Sequence, residues 1–227
     1  FLATAIEIVT RAGEIQLERR ESGFRISKKA ENDLVTEVDF ECERMCRAVI
    51  AERFPDHDIL AEEFGARSSA AQGSRWRWVF DPLDGTTNYS HRHPFFCVSV
   101  GLIDAEGPLA AVTHAPVLGE TWSAIRADGC WHRDVRTGTR QPLTINSSED
   151  LGVSLLATGF SYERRELDHG ALDVFESLLR RAREIRRGGS ACLDLAHTAS
   201  GVFQGFWEFY LAPHDVAAGA LLVREAG

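Results

Sequence analysis

The 227-residue chain has no apolar run of the roughly 18 residues that a membrane-spanning helix needs, and no stretch that reads as a secretory signal. Its few cysteines follow no pattern. Cys42, Cys46, Cys97, Cys130 and Cys192 are odd in number and lack disulfide or zinc spacing, so they read as reduced thiols of a cytoplasmic protein. Cys42 and Cys46 could share a helix face, but no His or further Cys sits beside them, and packing is their expected role. Positive charge is in deficit: 25 Lys and Arg stand against 34 Asp and Glu, for a net charge of −9. A nucleic-acid surface needs clustered positive charge, so neither nucleic acid nor membrane is expected as a partner. An acidic protein that handles an anionic substrate must place positive charge locally, and a bound cation does that. Internal repeats and low-complexity segments are absent too.

What is present is ordinary globular composition, at a length that suits one large domain or two small ones. Residues 2–20 carry apolar side chains at helical spacing. Residues 22–34 are polar and read as a loop or loose hairpin. Thr36 then caps a helix over 37–53, with Asp39 placed for a reciprocal capping box. A short strand at 58–61 ends in Glu62-Glu63, and 66–74 reads as a surface loop. A strand at 76–80 precedes four more, at 95–103, 109–115, 120–126 and 130–133, which suggests a largely antiparallel sheet. From about residue 141 strands and helices alternate: strand 153–158, helix 164–183, strand 184–187, a helix capped by Ser190, strand 205–210 and a last helix from 214. That alternation indicates an α/β half after an α+β half. Phe206, Trp207, Phe209 and Tyr210 read as mostly core. The chain opens inside one helical pattern and stops as another ends, which reads as a fragment.

The chemistry is expected at Trp78-Val79-Phe80-Asp81-Pro82-Leu83-Asp84-Gly85-Thr86-Thr87-Asn88. An apolar run ends on Asp81, a proline stops the strand, and a second acid, a glycine and two hydroxyls follow. Acids at the end of a buried strand are costly unless a cation offsets them. Asp81 and Asp84 with the Leu83 carbonyl offer only oxygen, which suits Mg²⁺. The same residues also suit a plain proline turn, and on this stretch alone both readings stand. Glu62-Glu63 and Asp215 also sit at strand ends, where ligands collect in open sheets, although Asp215 equally suits the first turn of a helix.

The order Asp33-Leu34-Val35-Thr36-x-x-Asp39, Ala61-Glu62-Glu63, Asp81 to Asn88, Gly189-Ser190-Ala191, Trp207-Glu208 and Asp215-x-x-Ala218-Gly219 resembles the inositol monophosphatase family of Mg²⁺-dependent, Li⁺-sensitive phosphomonoesterases. The resemblance runs from about residue 28 to the end. It implies alternating helix and sheet layers, αβαβα, of the inositol monophosphatase/fructose-1,6-bisphosphatase type, an α+β and α/β sandwich usually found as a homodimer. It implies residues 1–140 as the half carrying most metal ligands. Residues 141–227 would supply Asp215 and substrate contacts and would be truncated at the C-terminus. By position, Glu62, Asp81 and the Leu83 carbonyl would hold a first metal, and Asp81, Asp84 and Asp215 a second, in a set of two or three Mg²⁺ ions. Thr86, hydrogen-bonded to Asp39, would help Glu62 activate the attacking water. The phosphate would lie on Gly85 and Thr86, and Gly189, Ser190, Ala191 and Glu208 would face the substrate, with Asp84 and Asp215 beside them. Lys28 falls where the family has a lysine on a mobile loop. His214 stands where the family usually has Trp, either hydrogen-bonding near the second metal or packing.

His91-Arg92-His93-Pro94 reads as a connecting loop. Arg180, Arg181, Arg183, Arg186 and Arg187 read as a solvated face, with Arg186 and Arg187 the exceptions because they lead into Gly189-Ser190-Ala191. A haloacid-dehalogenase site needs one residue between its acids where this chain has two, so its nucleophile and acid roles do not fit. The reading is therefore a phosphatase for a small polyol or sugar phosphate, inositol monophosphate first. Histidinol phosphate, fructose-1,6-bisphosphate or phosphoadenosine phosphate are alternatives, and a non-catalytic regulatory member is the rival class.

Overall fold

The first two helices form where apolar residues recur at helical spacing: α1 (Leu2–Ser22) and α2 (Glu37–Arg53). Between them β1 (Ile26–Ala30) and β2 (Asp33–Thr36) pair as an antiparallel hairpin, with Lys28 exposed on β1. The structure is a computed structural model that describes residues 1–30, 33–68, 73–162 and 170–227. Among the described residues no helix is long and apolar enough to cross a membrane.

Eight strands follow: β3 (Asp58–Ala61), β4 (Gly65–Arg67), β5 (Arg77–Asp84), β6 (Cys97–Asp104), β7 (Gly107–Ala115), β8 (Glu120–Ile125), β9 (Gly129–Asp134) and β10 (Arg140–Pro142). They form one sheet in the order β10-β9-β8-β7-β6-β5-β3-β4. Every neighbouring pair is antiparallel except β3 and β5. A five-residue helix, α3 (Thr86–Ser90), leaves the end of β5. The rest of the chain contributes β11 (Leu155–Thr158), α4 (Ala171–Leu179), β12 (Glu184–Arg186), α5 (Ala191–Ala199), β13 (Gly205–Trp207) and α6 (Pro213–Ala226). Strands β12-β11-β13 form a second, parallel sheet.

Helices α1 and α2 cover one face of the large sheet, α5 and α6 the other, and α5 also meets the small sheet. The layers alternate as αβαβα, as expected. Burial from both sides explains why Trp78, Val79 and Phe80 of β5 are apolar in succession and do not alternate with polar residues. Two apolar clusters result. Ile8, Cys42, Trp78, Phe80 and Phe96 belong to the one under α1 and α2, and Trp122, Leu193, Leu221 and Leu222 to the one under α5 and α6. Cys42 and Cys46 are core residues, and all five cysteines are free thiols. The Ala218-Gly219 pair has a packing reason: a Cβ on Gly219 would lie 2.5 Å from the Leu195 side chain, so α6 approaches α5 only with glycine there.

Several expectations need correction. Pro82 does not stop the strand: β5 continues to Asp84, with a shift in register between Asp81 and Asp84 that absorbs the proline. The surface loop at 66–74 begins as β4, and residues 69–72 lie outside the described residues. Strand β10 was not anticipated; its three residues are all exposed and carry no periodic signal. The helix expected over 164–183 runs from Ala171 to Leu179, and residues 163–169 lie outside the described residues. The aromatic strand is short, and Phe209 and Tyr210 are exposed and not core.

Candidate active site

Three acids owe their positions to ordinary chain geometry. In the parallel register of β3 and β5, Ala61 lies opposite Phe80, so Glu62 follows beside Asp81. The turn after Glu62 is held by Glu43, whose carboxylate accepts from Glu63 N at 2.7 Å and Phe64 N at 3.0 Å. Glu43 is fully buried and paired with Arg47 at 2.7 Å. Asp81 Oδ1 accepts from Leu83 N at 2.9 Å, which folds the two-residue gap into an Asx turn. Gly85 then takes φ 94°, and a Cβ there would meet Phe95 O at 3.1 Å.

Asp39 makes both sets of hydrogen bonds expected of it. Its Oδ2 accepts from Thr36 N at 2.9 Å and Thr36 Oγ1 at 2.6 Å, the reach-back of a capping box. Its Oδ1 accepts from Thr86 Oγ1 at 2.9 Å. The Leu83 carbonyl is 3.1 Å from the same hydroxyl, which has one proton to give. Burial pushes the Asp39 carboxyl up to about 6 against those hydrogen bonds, and Glu62 adds repulsion.

Asp84 ties the motif to the second half of the chain. Its Oδ2 accepts from Ser190 Oγ at 2.6 Å and Cys192 N at 2.7 Å, at the start of α5. Asn88 makes the same junction, giving its side-chain amide to Phe95 O at 2.7 Å and Gly188 O at 2.9 Å. Ser190 caps α5 as expected. Burial lifts Asp84 to about 6; the Ser190 hydrogen bond opposes this and Asp215 adds to it. Asp81 is driven well above the usual carboxylate range by burial, then by Glu62, Asp84 and Asp215.

Asp215 enters from α6. Its Oδ2 accepts from Ala212 N at 2.6 Å, and its Oδ1 lies 3.6 Å from His214 Nε2. Glu208, from the end of β13, lies so close to Gly159 that any side chain there would strike its carboxylate. Burial pushes Glu208 up to about 7, opposed by Arg187.

A cavity of about 140 Å³ joins these parts, lined by Asp84, Gly189, Ser190, Ala191, Glu208 and Asp215 together with Arg187 and Asp194. Asp194 was missed by sequence reasoning: the residue is 1% exposed, its Oδ1 has no hydrogen-bond partner among the described residues, and burial pushes its carboxyl up to about 8. Glu43 was missed too, although an acid within the apolar stripe of α2 was a usable signal. Arg186 turns instead to Glu184, at 3.2 Å, and the His91–Pro94 segment is exposed.

Glu62, Asp81, Asp84 and Asp215 thus repel one another around one space, and oxygen donors of like charge suit a hard cation. Among the described residues, though, the group that brings three ligand-type atoms within 4.8 Å of one another is Asp84, Cys97 and Cys192.

The profile of the inositol monophosphatase family matches residues 1–227. The chain belongs to the inositol monophosphatase family. The Inositol-1-monophosphatase of Synechocystis is 37% identical over 227 residues, spanning 100% of this chain and 74% of that protein. The Nus factor SuhB of Pseudomonas aeruginosa is 38% identical over 233 residues, 100% of this chain and 83% of its own length. Among solved structures, the inositol monophosphatase from Anabaena superposes with a TM-score of 0.84 at 36% identity, covering 100% of this chain and 81% of that one. Inositol monophosphatases are metal-dependent phosphatases of small phosphorylated substrates, and the oxygen-rich donor set of this chain fits such a metal.

Proposed function

We propose that the protein is a Mg²⁺-dependent phosphomonoesterase for a small polyol or sugar phosphate, with inositol monophosphate as the first substrate. The observation that carries this is the joint placement of Glu62, Asp81, Asp84 and Asp215 beside the Thr86–Asp39 hydrogen bond, in a chain of this family. In this reading Glu62, Asp81, the Leu83 carbonyl, Asp84 and Asp215 hold the Mg²⁺ ions, two or three in number. When bound, the ions supply Lewis-acid neutralisation of phosphoryl charge and a lower pKa for water.

The chain's own residues do the rest. Asp39 accepts the hydrogen bond donated by the Thr86 hydroxyl, which leaves the Thr86 oxygen lone pairs to accept a hydrogen bond from the attacking water and to orient it. Glu62 takes that water's proton as general base. The N–H groups of Gly85 and Thr86 receive phosphate oxygens. Glu208 accepts from hydroxyls of the alcohol, and the Gly189-Ser190-Ala191 turn lines the same cavity. A homodimer belongs to the same reading, to be checked by light scattering.

The test is phosphate release from a panel of inositol, sugar, histidinol and phosphoadenosine phosphates, with Mg²⁺ and with chelator. We expect Mg²⁺-dependent release, highest with an inositol or sugar monophosphate. No release from any ester would end the reading.

A second reading has a specific support: several relatives, among them the P. aeruginosa protein, are named Nus factors. A non-catalytic regulatory role would leave the site without turnover on every ester, while purified RNA polymerase complexes would retain the protein.

A further inference from the structure

Asp84 Oδ2 is also where two thiols meet. Cys97 opens β6 and Cys192 is the second residue of α5, and neither has exposed surface. Cys97 Sγ lies 3.8 Å from Asp84 Oδ2 and 3.7 Å from Ser190 Oγ. Cys192 Sγ lies 3.3 Å from the carbonyl of Asp215. The two sulfurs and an Asp84 oxygen all fall within 4.8 Å of one another. A tetrahedral ion with bonds of about 2.0–2.3 Å holds its ligands roughly 3.3–3.8 Å apart, so a small contraction closes this group on such an ion.

Packing explains part of this. Both cysteines belong to the apolar cluster between the large sheet and α5 and α6. Packing does not explain why the Cys97 sulfur faces the Asp84 carboxylate and the Cys192 sulfur the Asp215 carbonyl, two residues that line one cavity. Two thiols and one carboxylate select a different ion from four carboxylates: soft sulfur favours Zn²⁺ or Cd²⁺, whereas Mg²⁺ stays with oxygen. Access is short, since Ser190 and Ala191, the residues just before Cys192, line the cavity.

We propose that Asp84, Cys97 and Cys192 form an inhibitory site for a thiophilic divalent cation of the Zn²⁺ or Cd²⁺ type. On binding, each thiol gives one proton to solvent and its sulfur bonds the ion, with no change of oxidation state. Asp84 Oδ2 becomes the third ligand and leaves Ser190 Oγ and Cys192 N. The carboxylate is then withdrawn from the hard-cation site. This consequence rests on the reading of Asp84 as a ligand of Mg²⁺; the thiolate site itself does not.

The experiment uses the full chain, reduced and in excess Mg²⁺, titrated with Cd²⁺. The first readout is the ultraviolet charge-transfer absorption of Cd²⁺–thiolate bonds. One equivalent per chain is expected, lost in both Cys97→Ala and Cys192→Ala and kept in the Cys42→Ala/Cys46→Ala control. The second readout is Mn²⁺ affinity by electron paramagnetic resonance without Mg²⁺. Cd²⁺ is expected to weaken it by roughly tenfold or more in the parent and to leave it unchanged in Cys192→Ala. An equal band in cooperatively melting Cys97→Ala and Cys192→Ala chains would overturn the site. A band lost as expected, with Mn²⁺ affinity in the parent indifferent to Cd²⁺, would overturn its inhibitory role. Failure of the parent to bind Mn²⁺ at all would count against the phosphatase reading and against inhibition through Asp84, while the band still decides the thiolate site.

Discussion

Asp39 and Asp215 occupy the same position, the third residue of a helix, and both reach back to the N-cap N–H. The surroundings separate them. Thr36 completes the box around Asp39, and Thr86 takes the remaining oxygen, so all of that carboxylate is committed to protein donors. Ala212 has only a methyl group and no hydroxyl to complete the box around Asp215, whose Oδ1 faces His214 Nε2 at 3.6 Å. The same capping geometry thus presents one acid to a threonine hydroxyl and the other, a lining residue of the cavity, to an imidazole. The bland and functional readings of a helix-capping acid are thus not alternatives. The groups around the second oxygen decide which is added to the other.

The comparison can be broken most sharply at Asp215. Asp215→Asn still accepts the Ala212 N–H but loses a charged ligand, so turnover should fall roughly 10³-fold with the melting temperature in chelator unchanged or higher. Parent-like turnover would remove Asp215 from the metal set. Asp39→Asn should behave differently, because an amide presents an NH₂ where donors already point. Turnover should fall about 10²-fold and stability by about 1–2 kcal/mol, with or without Mg²⁺. Equal stability changes in the two variants, measured by urea unfolding, would erase the distinction.

The cavity acids extend it to pH. Asp194 and Glu208 have folded-state values raised to about 8 and about 7, above their unfolded values of 3.8 and 4.5. The folded chain therefore binds more protons than the unfolded one, and metal-free stability falls as pH rises. Between pH 6.5 and about 8 the lowered values of His57, His114 and His197 oppose this slope, by at most about 0.4 kcal/mol each, because the unfolded imidazoles are still losing protons there. A net loss of roughly 1–2 kcal/mol across that window is expected in chelator, flattened by Mg²⁺. A chelated protein that gains stability with pH would contradict it. The smallest effect sharpens the comparison at its origin. Thr36→Ala should cost about 1 kcal/mol, whereas Ala212→Ser should add about 0.5–1 kcal/mol by supplying the missing cap, both read from thermal unfolding.

Much of this was legible in the sequence because the signals are local. The capping box at Thr36, the turn at Asp81 to Gly85 and the alternation of strands and helices after residue 141 all lie within a few residues of their cause. The layered fold and the family followed from motif order. Other features depended on contacts that no local pattern encodes. Pro82 sits within a strand because a shift in register absorbs it. Glu43 holds the Glu62 turn across 20 residues, and Cys97 and Cys192 meet only when α5 docks on β6. Phe209 and Tyr210 read as core because they are aromatic, yet they lie just past the end of β13.

The side chain of Asn88 spans 100 residues of sequence to reach Gly188, and Asp84 spans 106 to reach Ser190. Closures of that length are slow to form and come only after the segments between them have folded. During synthesis the acids of the motif emerge long before the partners that aim them. Metal affinity should therefore appear late and abruptly, when the start of α5 docks, which makes ion binding a reporter of completed folding as well as of chemistry.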